Sequence, residues 1–433
     1  MAGPKFRVAI CGGGIGGLTL ALTLARYPDI SVTIYEAAKD FTEIGAGIGL
    51  WPRALSVFQN LGLRDDIVNL AGGLDPNAPA HVFHYRKSDQ PDGASFYDLV
   101  TPGGLLRLHR AAVQQLLLAR LPSSCSAHTS KRLLSYTQHP SSVFLRFTDG
   151  STASCDLLVG ADGLHSAVRV GLVHELRVRG VVGSEQVAEP RWSGEVAYRA
   201  LIPMENIRKR YPGHRCLTTP TQFLGRDNYI LAYPISNGTL LNFVAFTTRP
   251  EREGTKFDGA WMAVAGGHCD DWKKPYEGWD TEVQQLFDCA PPPMRWAIHT
   301  APQLPTWVSG RVTILGDAAH AMTPHEGSGA GQAIEDAYLL GTLLGHPHAT
   351  RTTLPAALAA YDRVRRPFAE SVQRKSRENG RLFTCRRHDL HGADVDEGVL
   401  RDLGERIRVN WKWAWETSVD GDVGRAVEMF ERA

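Results

Sequence analysis

Val8-Ala-Ile-Cys-Gly12-Gly13-Gly14-Ile15-Gly16-Gly17 decides how this chain is read. An apolar strand runs straight into Gly-x-Gly-x-x-Gly, and the helix-forming stretch Leu18 to Ala25 follows at once, which is the context in which the glycine triplet marks a dinucleotide site. Gly12 allows the tight turn, Gly14 lets backbone approach a pyrophosphate with no Cβ in the way, and Gly17 lets the helix pack closely on the strand. The helix N-terminus then presents unpaired N–H groups and a positive dipole end to the phosphates. A second strand, Val32-Thr-Ile-Tyr-Glu36, ends on an acid 19 residues after Gly17. A carboxylate there accepts hydrogen bonds from ribose hydroxyls and repels a 2′-phosphate. The plainer reading is a glycine-rich turn between two core strands, and it leaves Glu36 and the helix unexplained.

Two further patches lie far along the chain, Leu157-Leu-Val-Gly160-Ala161-Asp162-Gly163 and Val312-Thr-Ile-Leu-Gly316-Asp317-Ala318-Ala319-His320. Either alone has an ordinary explanation, since Asp-Gly is a common turn and Asp before Ala-Ala caps a helix. In this order behind the fingerprint, the chain resembles the single-component FAD-dependent aromatic hydroxylases (class A flavoprotein monooxygenases), the group of para-hydroxybenzoate and salicylate hydroxylases. The likeness is strongest to the salicylate hydroxylase-like branch common among fungal enzymes and covers nearly the whole chain. It implies non-covalent FAD, with Gly12, Gly14, Gly17, Glu36, Ala37 and Gly49 on the cofactor surface. Asp162 is then placed by the pyrophosphate and the nicotinamide docking surface, and Asp317 by the ribityl-pyrophosphate. Arg110, in Leu108-His-Arg-Ala-Ala-Val-Gln-Gln-Leu-Leu117, matches an Arg that reaches the FAD.

The resemblance also implies an α/β fold: a Rossmann-type FAD-binding domain, an inserted and mainly antiparallel substrate domain, and a helical C-terminal tail. The expected division is residues 1–76, 101–180 and 300–375 for the FAD-binding domain, 77–100 and 181–299 for the substrate domain, and 376–433 for the tail. From the residues themselves, 77–101 reads as a polar, loop-rich insertion with turn signals at Pro76-Asn77 and Pro91-Asp-Gly93. After Arg110 a βαβ rhythm is expected as far as Asp162. Alternating runs at Glu195 to Arg199, Tyr229 to Tyr233 and Leu240 to Phe246 read as antiparallel strands. Trp411 and Trp415 share a helix face and read as packing residues. The basic run Arg363-Val-Arg365-Arg366 reads as a solvated or salt-bridged face.

Bulk properties narrow the function. At 433 residues two domains are expected, and 43% hydrophobic with 21% charged residues is ordinary globular composition. A formal charge of +1 gives no reason to expect nucleic acid or an anionic membrane as partner. Seven scattered cysteines without a C-x-x-C suit a reducing, cytoplasmic compartment. Lys5 and Arg7 before an apolar run mimic a signal peptide, but the glycines and the strand–turn–helix argue against one. No apolar run reaches membrane-spanning length, so a soluble monomer or homodimer is expected. No H-E-x-x-H, zinc-spaced cysteine set, G-x-S-x-G or P-loop occurs, and Gly45-Ala-Gly47-Ile-Gly49 misses the dinucleotide spacing. With no second fingerprint, NADPH or NADH is expected to dock transiently on the FAD domain, as the family resemblance implies.

Pro324-His325-Glu326-Gly327-Ser328-Gly329-Ala330-Gly331-Gln332 opens a helix, and such glycine density lets backbone approach a planar ring while the helix start supplies a positive end. The family places Gly327, Gly329 and Ala330 along the isoalloxazine. Its oxidant is a flavin C4a-hydroperoxide, an electrophile that needs an electron-rich phenol and molecular oxygen. Arg199 and Tyr233 match strand positions where relatives place substrate contacts, Arg199 favouring a phenolate or carboxylate. His325 is placed to relay the phenolic proton. The plainer readings are a buried salt-bridge partner for Arg199, a core aromatic for Tyr233 and a loop hydrogen-bonder for His325. The expected substrate is a hydroxybenzoate-type acid, with decarboxylation left open. A flavin epoxidase or Baeyer–Villiger-type oxygenase, and a non-catalytic flavin-binding protein, are the alternatives. Arg53, where many relatives carry Asn, and Tyr229, where bacterial salicylate hydroxylases carry His, are departures that bear on the flavin edge and on the substrate.

Overall fold

The computed structural model describes residues 3–41, 47–72, 75, 78–183, 188–265, 271–392 and 395–433. The Pro76-Asn77 turn signal, the boundary at 76/77 and Gly45 lie outside these described residues.

Three distant segments build one sheet, in the order Val308–Ser309, Val312–Ile314, Leu157–Gly160, Phe6–Cys11, Ile30–Tyr35 and Cys125–His128. All neighbours run parallel except the edge hairpin of Val308–Ser309 with Val312–Ile314. The central strands are buried on both sides and read as continuous apolar runs, as parallel strands covered by helices must. Register brings the glycine patches together. Cys11 pairs with Gly160, and Gly160 with Ile314, so the three turns emerge side by side at the carboxyl ends of adjacent strands. That edge of an open α/β sheet is where ligands bind.

The expected βαβ rhythm up to Asp162 does not hold throughout. After Cys125–His128 the chain returns through a three-stranded antiparallel sheet, Leu133–Gln138, Val143–Phe147 and Thr152–Cys155, before re-entering the parallel sheet at Leu157. Val143, Leu145 and Phe147 are buried and alternate with exposed residues, which is the two-residue period of a half-covered strand.

The second sheet has eight strands: Met262–Val264, Met294–Thr300, Arg191–Pro203, Leu240–Thr248, Asn228–Ile235, Thr221–Gly225, Pro79–Lys87 and Ala94–Pro102. Its pairs are antiparallel except Thr221–Gly225 with Pro79–Lys87. The loop-rich insertion expected at 77–101 is therefore wrong in kind. It is a long hairpin at the sheet edge, in which Val82, Phe83, Tyr85 and Leu99 are buried.

Strand alternation gives this sheet two different faces. Ile230, Ala232, Phe243 and Ala245 join a core with Tyr276, Val283 and Leu286, over the helix Thr281–Cys289. Tyr229, Val244 and Phe246 face the other way, toward Leu403, Ile407 and Trp411 of the C-terminal helix Glu397–Trp411.

The expected helical tail is present: Leu354–Phe383, Glu397–Trp411, Trp413–Glu416 and Val419–Glu431. Trp51 contacts both Trp411 and Trp415, so those two do share a face, while Trp413 turns to Phe368. The basic run holds a buried ion network. Arg365 donates to Asp336 (2.8 Å), to Glu335 (2.9 Å) and to Gln332 Oε1 (2.7 Å), all on the helix Gly329–Gly345. Arg53 also belongs to it, bonding Glu335 at 2.9 Å and Asp422 and stacking over Phe368. Its departure from Asn thus falls on the packing of the tail, and its guanidinium is buried away from the cavity described next.

Candidate active site

The fingerprint adopts the conformation its glycines require. Gly12 has φ +110°, and a Cβ there would lie 2.1 Å from the Ala161 carbonyl oxygen. A Cβ on Gly17 would lie 2.1 Å from the Gly12 oxygen. The helix Ile15–Leu24 starts at Gly14 without any side-chain cap, which leaves its first N–H groups to a ligand. Glu36 accepts from Gly13 N at 2.6 Å and Ala38 N at 2.7 Å, and so ties the second strand to the glycine turn. Ala37 occupies the bend between them.

Asp162 turns inward. Its buried carboxylate accepts from the Ser166 hydroxyl and from Val168 N (3.2 Å), closing the start of helix Ala167–Val178, and burial raises its pKa. The backbone on either side, Ala161 and Gly163, lines the cavity instead. Arg169 binds this patch to the third by donating to the Ala318 (3.0 Å) and Ala319 (3.2 Å) carbonyls.

A cavity of about 380 Å³ runs from Gly14 past Asp317 and the glycine loop to one face of the eight-stranded sheet. Of the residues singled out in the sequence, it brings together Gly14, Gly49, Arg110, Arg199, Tyr233, Asp317, His325, Gly327, Gly329 and Ala330. Gly12, Gly17, Glu36, Ala37 and Asp162 stand outside its lining. An uncapped helix start, glycines that hold the turn open, and a cavity continuous from there to the loop at 327–330 fit an extended dinucleotide such as FAD.

Arg199 and Tyr233 are not on neighbouring strands, since Leu240–Thr248 lies between theirs. Arg199 pairs with Val244, and Tyr233 with Asn242, so both side chains rise from the same face. Burial lowers the pKa of Arg199, with Tyr233 opposing that shift. Burial raises that of Tyr233, while Arg199 and Arg107 pull it down. Among the described residues no carboxylate pairs with Arg199. Arg107, missed in the sequence, lies over the Phe83 and Tyr233 rings (5.4 and 5.5 Å), and burial brings its pKa down to about 10.

His325 is clamped. Its Nδ1 is 2.6 Å from the Tyr229 hydroxyl and its Nε2 is 2.9 Å from Glu195 Oε2. Arg377 holds the other Glu195 oxygen and also bonds Glu253 at 2.7 Å, so polar groups lead from the cavity wall to the surface. Burial alone would raise the pKa of Glu195, but His325 and Arg377 outweigh it and hold it below the usual carboxyl range. Glu195 was missed because it stood at the end of a run read only as strand. The signal was its spacing, since Glu195, Ala197 and Arg199 alternate onto one face. Beside His325, burial pushes the carboxyl of Glu326 well up, and it takes hydrogen bonds from Asn379 (3.1 Å) and Trp413 Nε1 (3.2 Å).

The family model described as "FAD binding domain" matches residues 5–200 and 287–376. The chain belongs to the FAD-dependent monooxygenases. It is 37% identical to a salicylate hydroxylase of Pseudomonas putida over 97% of this chain and 94% of that protein. It is 34% identical to the 6-methylsalicylate 1-monooxygenase of Aspergillus terreus, covering 95% and 90% respectively. The solved structure of a salicylate hydroxylase substrate complex superposes with a TM-score of 0.82 at 31% identity, covering 98% of both chains. Among the described residues of this monooxygenase no helix is long and apolar enough to cross a membrane.

Proposed function

We propose that this monooxygenase hydroxylates the ring of a phenolic aromatic acid of the hydroxybenzoate type, consuming NAD(P)H and molecular oxygen. Arg199 carries this reading: it is a half-buried guanidinium with no carboxylate partner among the described residues, in the wall of the cavity that the glycine loop also lines. A buried cation of this kind favours an anionic ligand. The relatives named for salicylate and 6-methylsalicylate point to the same substrate class.

Bound FAD supplies the oxygen-activating chemistry, and the residues of the chain do the rest. Gly14, Asp317 and the backbone of 327–330 hold the cofactor. Arg199 anchors the acid, with the Tyr233 hydroxyl beside it. Phe246, Trp296 and Ile298 line the cavity with apolar surface and keep water from the ring. His325 sits at the wall where a phenolic proton must leave, and Glu195 fixes its ring so that one nitrogen always faces an anion.

Arg199→Ala is expected to weaken substrate stabilisation by about 1.5–3 kcal/mol, roughly 10- to 150-fold, with FAD content unchanged. Unimpaired turnover of phenolic acids by this variant would place the anion site elsewhere. A carboxyl-labelled hydroxybenzoate decides the product. Labelled carbon dioxide in step with coenzyme use indicates attack at the carboxyl-bearing carbon, whereas retained label with a new hydroxyl indicates simple hydroxylation.

Glu195→Gln is expected to lower kcat by about 100-fold, the low end of what a positioned proton-transfer group contributes, while the protein still holds FAD. Because Glu195 stays ionised below the usual carboxyl range, its orienting charge persists as the pH falls through that range and is lost only at still lower pH. The wild-type profile should therefore show no acid limb near the ordinary carboxyl pKa arising from this residue. Wild-type kcat in the variant would remove Glu195 from the relay.

A further inference from the structure

Among the described residues, four buried polar atoms of the cavity lining have no hydrogen-bond partner: Gln222 Oε1, Asn242 Nδ2, Arg107 Nε and Trp411 Nε1. Gln222 and Asn242 are each 2% exposed. Buried polar groups in folded proteins are normally satisfied, and four orphans around one cavity call for a polar occupant. Their placement says where its polar groups sit. Gln222 pairs with Leu231, Leu231 with Val244, and Val244 with Arg199, so Gln222 lies three strands from Arg199 on the same face. At the usual strand spacing that is about 14 Å between their backbones. A benzoate whose polar groups are all gathered around the Arg199 end leaves the Gln222 end unmet. The lining between them is apolar, with Leu231 and Val244.

We propose that the substrate carries a second oxygen substituent across the ring from its carboxylate, received by Gln222 with the Trp411 indole N–H, while Asn242, paired with Leu201 and Tyr233, serves the Arg199 end. Three of the four orphan atoms, Asn242 Nδ2, Arg107 Nε and Trp411 Nε1, can only donate, so the occupant must accept hydrogen bonds. Gln222 Oε1 accepts and Trp411 Nε1 donates, which suits a hydroxyl that does both. This rests on the reading of the cavity as an aromatic-acid site and narrows it to dihydroxylated acids.

The test titrates the FAD-loaded protein with salicylate and with 2,4-dihydroxybenzoate, following the perturbation of the flavin absorbance, so that binding is read without turnover. The dihydroxy acid is expected to bind about tenfold more tightly, the worth of one to two net hydrogen bonds. In Gln222→Leu and in Trp411→Phe the ratio between the two ligands is expected to fall toward one. Equal affinities in the wild type, failure of both acids to bind, or an undiminished ratio in both variants would overturn the proposal. So would variants that no longer hold FAD, since the orphan atoms would then serve the cofactor. If the preference holds but neither acid is hydroxylated, the subsite stands and the proposed reaction fails.

Discussion

Gly17→Ala is expected to yield a protein that purifies colourless and cannot be reconstituted with FAD. The added methyl would sit 2.1 Å from the Gly12 carbonyl oxygen, which is backbone and cannot swing aside. Relief requires either the helix Ile15–Leu24 to lift off the strand Phe6–Cys11 or the Gly12 turn to change. That turn is itself confined, because its φ of +110° and the Ala161 oxygen beside it leave it no neighbouring conformation to slide into. Lifting the helix draws its N–H groups away from the pyrophosphate and weakens the site that the dipole creates. The readout is thermal unfolding with added cofactor. At 100 times its dissociation constant a ligand stabilises by about 2.7 kcal/mol, so FAD should raise the midpoint of the wild type and leave that of the variant unmoved. A yellow variant with the wild-type shift would mean that the fingerprint does not hold the cofactor.

Arg365→Ala is expected to be the most destabilising change outside the cofactor site, by about 3–5 kcal/mol. Arg365 is fully buried and its guanidinium meets Asp336, Glu335 and Gln332. Burial alone would raise the pKa of Asp336, but His320 and Arg365 hold it below the usual range. Removing the guanidinium leaves two carboxylates in a dry interior with less positive charge to face, and the cost is that of uncompensated buried charge. The network also holds the Gly316-Asp317 turn, because Asp336 accepts from Gly316 N at 3.0 Å. Urea unfolding of the apoprotein, compared between wild type and variant, measures the loss. An unchanged midpoint would show that the carboxylates find other partners. The sign with pH follows from Asp336. Its folded-state pKa is depressed, so its contribution is present above the unfolded value and disappears as the pH falls through the folded one. The difference between wild type and variant should therefore shrink in acid.

What the sequence determined by itself was the chemistry that depends on neighbours along the chain. A strand, a glycine turn and a helix start are local, and Gly12, Gly14 and Gly17 have identifiable duties because the conformations they permit are set within a few residues. The same holds for the glycine loop before Gln332, and for the alternating strands, whose period of two already says that Tyr229, Leu231 and Tyr233 share a face. Pairings between distant segments were decided only by tertiary structure. Glu195 becomes part of the site because His325, 130 residues later, is brought within 2.9 Å of it. Asp162, placed by its motif beside the cofactor, spends its carboxylate on the helix that follows. Arg365 read as part of a solvated or salt-bridged face and Arg53 as a departure near the flavin edge, yet a shared set of buried carboxylates draws both inward. The hairpin at 79–102 was hidden by its polar face, because an edge strand needs burial on only one side. In each case the deciding partner is far away in sequence, and register and burial, which no local pattern encodes, determine whether it arrives.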